Sequence, residues 1–405
     1  MYKYIFLSSI FFPLLGIFLM YGGAYGVSIG QVGYDNGSLW AFFIYSLVAI
    51  LFFFLLKKKE LEPLVSSVVL PMRFQRYCFR ALFLMLLLVG IMLFGFDAHR
   101  VWSGEVGKGE FRASLGSFGF FAYLTTKFIA PLSLAYAAFL YRLSARRFTE
   151  KSILATLLVM GFVLGATWGF KATGITIVLP AMLILLWSSG FLAIAAFSIC
   201  SLVIILVFAF IFDDSESLVS AISFIFVRLT VIQGDVAWYV WGKYQAGMEM
   251  PSYAPTLAAA LSDTFLQNVL GVDKDNYREW ISFHYDLLLN DVAGVPMSAA
   301  EGGHSIVGTP FSEGIIMGGP IGIFIMAILS GLLSALVYNR INKSLALGNG
   351  MASAIWATYF CVFLFPWLRG GALVQLFHVS LIVSFLISAI FVFFMRKLVF
   401  LQVKK

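Results

Sequence analysis

Charge is what this chain has least of. Only 12% of its 405 residues are Asp, Glu, Lys or Arg, about half the share in a soluble domain. With 61% of the residues apolar, a compact soluble fold could not bury the excess, so an ordinary cytosolic or secreted enzyme is excluded. Cysteine is equally scarce. Cys78, Cys200 and Cys361 form no C-x-x-C pair and have no histidine beside them, which removes disulfide scaffolds, zinc ribbons and redox motifs. They read as small apolar packing residues. The four histidines make no H-x-x-x-H or H-E-x-x-H pattern, and the one D-x-D, Asp273-Lys274-Asp275, sits in a polar turn with a lysine between its acids. No metal and no cofactor is therefore expected. Internal repeats, low-complexity tracts and nucleotide-binding loops are missing as well.

What the chain does have is aromatic and aliphatic side chains in long runs. It contains 43 Phe, 17 Tyr and 9 Trp, and its mean hydropathy is +0.95. About 20 apolar residues cross a bilayer as a helix. Ten such stretches are expected, near 4–21, 39–56, 81–96, 117–141, 152–169, 174–188, 191–212, 314–338, 351–368 and 372–395. The sixth is short and the fourth contains Lys127. The first reads as a retained helix rather than a signal peptide, because its basic flank is a lone Lys3 and no A-x-A site follows. The fold class is all-α: a polytopic integral membrane protein, residues 1–405 forming one membrane domain.

The formal net charge of +7 is a topology signal, not a nucleic-acid footprint. Lys57 to Lys59, Arg73, Arg76, Arg80, Arg142, Arg146, Arg147, Lys151, Arg340, Lys343 and the Arg396 to Lys405 cluster all fall in connections on one face. The positive-inside rule makes that face cytoplasmic and puts both termini there. Residues 213–313 then form a large periplasmic loop between spans seven and eight. Its first part, about 218–241, is apolar but holds Arg228, Gln233 and Asp235, which suggests a broken, re-entrant or interfacial helix. Two helix-like stretches follow, about 255–270 and 276–290, divided by the turn-forming run from Gly271 to Asn276.

The residues that could carry chemistry are cations on the acidic side of the membrane. Lys171 lies in a tight connection between spans five and six, Arg228 in apolar surroundings, and Arg369 in Pro366-Trp367-Leu368-Arg369-Gly370-Gly371. A lone cation of this kind can snorkel to the headgroups. Three on one face point instead to a polar cavity for an anionic ligand. Guanidinium grips phosphate bidentately, whereas ammonium acts as a point charge. His304, in Gly302-Gly303-His304-Ser305, is a candidate general base, because an imidazole can take a proton from a hydroxyl at neutral pH. Asp235, Glu301 and Glu313 could orient it or pair with the arginines. Gly314, Gly318 and Gly322 recur every four residues, as a smooth stripe for close helix packing. Loop aromatics, among them Trp238, Trp241, Tyr253, Trp280 and Tyr285, could stack on sugar faces or belong to an interfacial belt.

Taken in order, these patterns resemble the bacterial O-antigen polymerase (Wzy) group of oligosaccharide repeat-unit polymerases, in particular those of enterobacterial common antigen. The resemblance covers about residues 150–395; the first four spans contribute only hydropathy. It rests on the Gly169 to Gly174 turn, with Lys171 where the group has arginine, on Arg228 opening the large loop, on His304-Ser305 before the glycine-rich span, and on Arg369-Gly370 before the last span. The resemblance implies a GT-C-like fold in the bacterial inner membrane and a metal-independent glycosyltransferase for O-antigen or related surface polysaccharide. Its substrates would be undecaprenyl-pyrophosphate-linked glycans, with membrane lipids and a chain-length regulator protein as further partners and no nucleic acid. Arg228 and Arg369 would stabilise the departing pyrophosphate with Lys171 assisting, and His304 would be the base. An O-antigen ligase-type transferase shares this topology and chemistry. A lipid-linked glycan transporter is the reading from another class, but such carriers usually show two similar halves, which this sequence does not.

Overall fold

The computed structural model describes the chain except residues 62–70, 103–104, 107, 145–146, 169–170, 213–216, 274–275, 296–305, 307 and 402–405. For some helical residues, Lys171 among them, only the backbone is described. The described residues are almost wholly helical; a two-stranded antiparallel ribbon, Tyr25–Gly26 with Gln31–Val32, is the exception.

Among the described residues, eight helices are long and apolar enough to cross a membrane: Tyr2–Tyr21, Ser38–Leu56, Met72–Gly95, Gly116–Arg142, Phe148–Thr167, Pro310–Ala346, Gly350–Gly370 and Leu373–Lys397. A ninth is reached if Val219–Leu229 and Val231–Gln245, bent by 40° at their junction, count as one. Eight of the ten expected spans are among these; the sixth and seventh are not. The expected sixth forms the short apolar helix Thr173–Leu185, whereas the expected seventh is the 22-residue helix Phe191–Phe212, with the bounds expected for it and its side chains continuously described as far as Ile204. The sixth stops because Trp187-Ser188-Ser189-Gly190 turns the chain before a span's length is complete. The broken helix expected at 218–241 is present, hinged at Thr230, whose φ/ψ of −115°/−78° leaves the helical region.

The spans differ in how deeply they sit. Gly116–Arg142 and Gly350–Gly370 are 67% and 61% buried, against 28% for Ser38–Leu56. The first two are the interior of the bundle, and Ser38–Leu56 turns one side outward. That side shows Trp40, Leu47, Leu51 and Leu55, side chains that suit hydrocarbon and not water. Its other side lies along the Pro310–Ala346 helix, joined by Tyr45 Oη and Ser330 Oγ at 2.9 Å. Past its end, Lys58 N and Leu61 N donate to Asn339 and Asn342 side chains at 2.8 and 3.0 Å.

Two glycine contacts set the geometry of the site. Tyr2–Tyr21 and Val231–Gln245 cross backbone to backbone at Gly16 and Gly234, where a Cβ on either would collide with main-chain atoms of the other helix. This contact fixes the second limb of the bent pair. The other concerns the expected Gly314–Gly318–Gly322 stripe, which does not exist as a smooth face. The helix breaks at Gly318 and Gly319, the latter at φ 58°, ψ −136°, just before Pro320. The two limbs fold so that Gly314 and Gly322 press on each other, leaving no room for a Cβ on either. Spacing of four assumes a continuous helix, and Gly-Gly-Pro removes that premise.

Candidate functional site

The short Pro310–Met317 limb carries Glu313 to the centre of one end of the bundle. Thr309 and Ser312 cap it reciprocally, with Ser312 N donating to Thr309 Oγ1 at 3.2 Å and Thr309 N to Ser312 Oγ at 2.8 Å. Glu313 is fully buried. Its carboxylate accepts from Tyr253 Oη, from Trp367 Nε1 at 3.0 Å and from Leu373 N at 2.6 Å. The donors at 367 and 373 bracket the turn that carries Arg369. That turn is strained: Gly371 has φ 74° and Ala372, with a side chain, has φ 65°. A non-glycine residue in that region costs free energy and persists where the surroundings impose it. Here Glu313 does so, together with the Tyr285 ring packed on Gly371.

Arg369 does not pair with Glu313. Its Nε donates to Gln233 Oε1 at 3.3 Å, while its guanidinium carbon lies 5.7 Å from the Phe365 ring centre. Gln233 in turn donates through Nε2 to the Arg228 carbonyl at 3.3 Å. The amide of Gln233 thus ties the Arg369 side chain to the main chain at Arg228. Arg228 is exposed, its guanidinium 4.6 Å over the Phe224 ring. In sequence Gln233 counts only among the polar residues that interrupt the 218–241 stretch, because its partner lies 136 residues on.

Asp235 has another task. It accepts from Ser28 N at 2.9 Å and from Val236 N at 2.7 Å, fastening the ribbon turn onto the Val231–Gln245 helix. It makes no ion pair with either arginine. Trp238 and Trp241 extend that fastening by donating to the carbonyls of Tyr34 and Asn36 at 2.8 and 3.0 Å. Trp238, Tyr253, Trp280 and Tyr285 are all buried, so these aromatics are core and not a sugar-stacking surface. Lys171 begins the Lys171–Leu185 helix; its side chain, like His304 and Glu301 entirely, lies outside what is described.

Two cavities flank the Arg369 turn. One, of about 270 Å³, is lined by Asp263, His284, Asp286, Ala372 and His378, with Lys127 in its wall. His284 Nε2 stands 3.8 Å from Asp263 Oδ1, and its ring rests on Trp280 with centroids 4.4 Å apart. The other, of about 400 Å³, is lined by Arg112, Lys127, Trp168, Pro366 and Gln375. Lys127 and Gln375 belong to both. These groups were missed because they come from segments far apart in the chain. The signal available was Lys127 itself, an ammonium inside an otherwise apolar span. A larger cavity of about 450 Å³, between Leu333, Trp356 and Phe385, is almost wholly apolar and offers no converging polar groups.

Among the described residues no three His, Cys, Asp or Glu side chains converge as metal ligands would. What the arrangement can do chemically is hold an anion against guanidinium and ammonium groups beside a cavity with imidazole and carboxylate proton acceptors. Comparison of the chain with family models, with curated proteins and with solved structures finds no match.

Proposed function

We propose that this membrane protein is a glycosyltransferase that polymerises undecaprenyl-pyrophosphate-linked oligosaccharide repeat units at the extracytoplasmic face of the bacterial inner membrane. The observation that carries this reading is the corner in which Gln233 joins Arg369 to the Arg228 turn. Guanidinium groups held near the end of a membrane bundle suit a leaving group that is a lipid-borne pyrophosphate. In the reaction, the acceptor sugar hydroxyl attacks the anomeric carbon of the growing chain. The bond from that carbon to the pyrophosphate oxygen breaks, undecaprenyl pyrophosphate departs with the electron pair, and the hydroxyl proton passes to a base. Arg369 and Arg228 stabilise the charge that develops on the departing pyrophosphate. His304 is assigned the base. The cytoplasmic placing of both termini, from the basic connections, belongs to the same proposal.

The test is reconstitution of the purified chain in nanodiscs with undecaprenyl-pyrophosphate-linked repeat units and no lipid A acceptor, read as a ladder on a gel. The wild type makes a ladder. Arg369→Ala reduces its formation at least 100-fold, and Arg369→Lys restores part of it by returning a point charge. A normal ladder from Arg369→Ala overturns the assignment, and bond formation only after lipid A is added identifies a ligase instead.

A further inference from the structure

The cavity between Arg112, Lys127 and Trp168 contains groups that the transfer chemistry above leaves unused. Lys127 lies in a π-helical turn, Thr125–Ile129, within one of the most enclosed spans. Turns of this kind interrupt helices at functional sites more often than elsewhere. Its Nζ makes no hydrogen bond or ion pair with any described residue; it faces only the rings of Tyr123 and Phe128, at 5.2 and 5.8 Å from their centres. An ammonium so placed is costly unless something anionic joins it. Asp263 and Asp286, the carboxylates that line the neighbouring cavity with Lys127, form no ion pair with it. Among the described residues no carboxylate lines the cavity of about 400 Å³. In it Lys127 is joined by the Arg112 guanidinium, stacked 5.2 Å over Trp168, and by Gln375, whose side-chain amide has no partner among the described residues. A second π-helical turn, Phe360–Leu364, supplies Cys361 and Val362 to the same wall.

We infer that this cavity is a second anion site, distinct from the Arg369–Gln233–Arg228 corner, that takes a phosphoryl anion with Lys127 as its principal ligand. In naming the anion a lipid-borne pyrophosphate it rests on the transfer reading above. A reaction that joins two lipid-pyrophosphate substrates must hold two such headgroups at once. Pro366, in the wall of this cavity, lies three residues before Arg369, and Ala372, in the wall of the next, three residues after it. The two cationic sites therefore share one backbone turn.

The experiment measures binding of undecaprenyl pyrophosphate, inorganic pyrophosphate and undecaprenol to the full chain in nanodiscs. It uses wild type and an Arg228→Ala/Arg369→Ala background in which only the second site keeps its cations. The double variant still binds undecaprenyl pyrophosphate and ignores undecaprenol. Adding Lys127→Met weakens that binding at least tenfold, and Lys127→Arg stays within about threefold of the lysine. Arg112→Gln, which leaves the span untouched, weakens it severalfold and serves if Lys127→Met does not fold. A tenfold preference for the lipid over inorganic pyrophosphate identifies a headgroup; equal binding identifies a free anion. Unchanged binding in folded Lys127→Met and Arg112→Gln overturns the site. Anion binding without polymer from the wild type breaks the transfer reading and leaves the site standing; polymer with binding indifferent to Lys127 does the reverse.

Discussion

Glu313 and Lys127 are both ionisable groups enclosed by apolar helices, and the fold treats them in opposite ways. Glu313 is sealed, with three donors aimed at its carboxylate from Tyr253, Trp367 and Leu373. Lys127 is partly buried in a cavity wall, with ring faces for company and no acceptor among the described residues. A buried charge with a full set of partners holds structure together. One without them is either a defect or a place kept for a ligand. The difference separates the scaffold of this site from its binding surface, and each of the following variants can break or sharpen it.

The largest effect is expected from Glu313→Ala. It strands three buried donors and frees the strained turn at Gly371 and Ala372, at a cost of about 3–5 kcal/mol. Thermal unfolding followed by thiol labelling measures it, since Cys78 and Cys361 are buried and free; Cys200 is exposed and is replaced by Ser beforehand. A midpoint within 1 °C of the parent would mean that the carboxylate is not a structural hub. Gly234→Leu comes next. A side chain there must push the Tyr2–Tyr21 helix away, at about 1–3 kcal/mol, and polymer falls with it because Gln233 moves. Retained stability and activity would show that the helix crossing is loose. Gln233→Leu keeps the volume and loses two hydrogen bonds, each worth about 1 kcal/mol. Ladder formation should fall about tenfold while the protein, destabilised by about 2 kcal/mol, stays folded. A loss of ladder no larger than the loss of folded protein would make Gln233 a packing residue and nothing more. Lys127→Met is expected to have the smallest effect on stability and the opposite sign: neutral to stabilising within about 1 kcal/mol, because an uncompensated charge is removed. Strong destabilisation would place Lys127 with Glu313 as scaffold.

Much of the fold was legible in sequence because the membrane demands length and apolarity together. The hinge at 218–241 could be read for the same reason: Arg228, Gln233 and Asp235 in one apolar stretch forbid a plain span. The short sixth helix was overcounted as a span, since hydropathy does not see where Trp187-Ser188-Ser189-Gly190 turns. The glycine stripe was misread because a period of four says nothing of backbone dihedrals. The loop aromatics were open to two readings in sequence, as Trp and Tyr serve cores and carbohydrate surfaces alike, and burial decides between them.

The site divides along the same line. Arg228 and Arg369 stood out in sequence as cations that an apolar neighbourhood cannot ignore, and Lys127 was visible as a charge that weakened its span. Sequence alone therefore determined which residues were costly, because desolvation depends on local composition. Which of those costs are met from inside the protein was decided only by tertiary structure. Gln233 meets Arg369 across 136 residues and Tyr253 meets Glu313 across 60, while Lys127 meets no acceptor among the described residues. Partners of this kind are assigned by helix crossings, and those are set by where glycine lets two backbones touch.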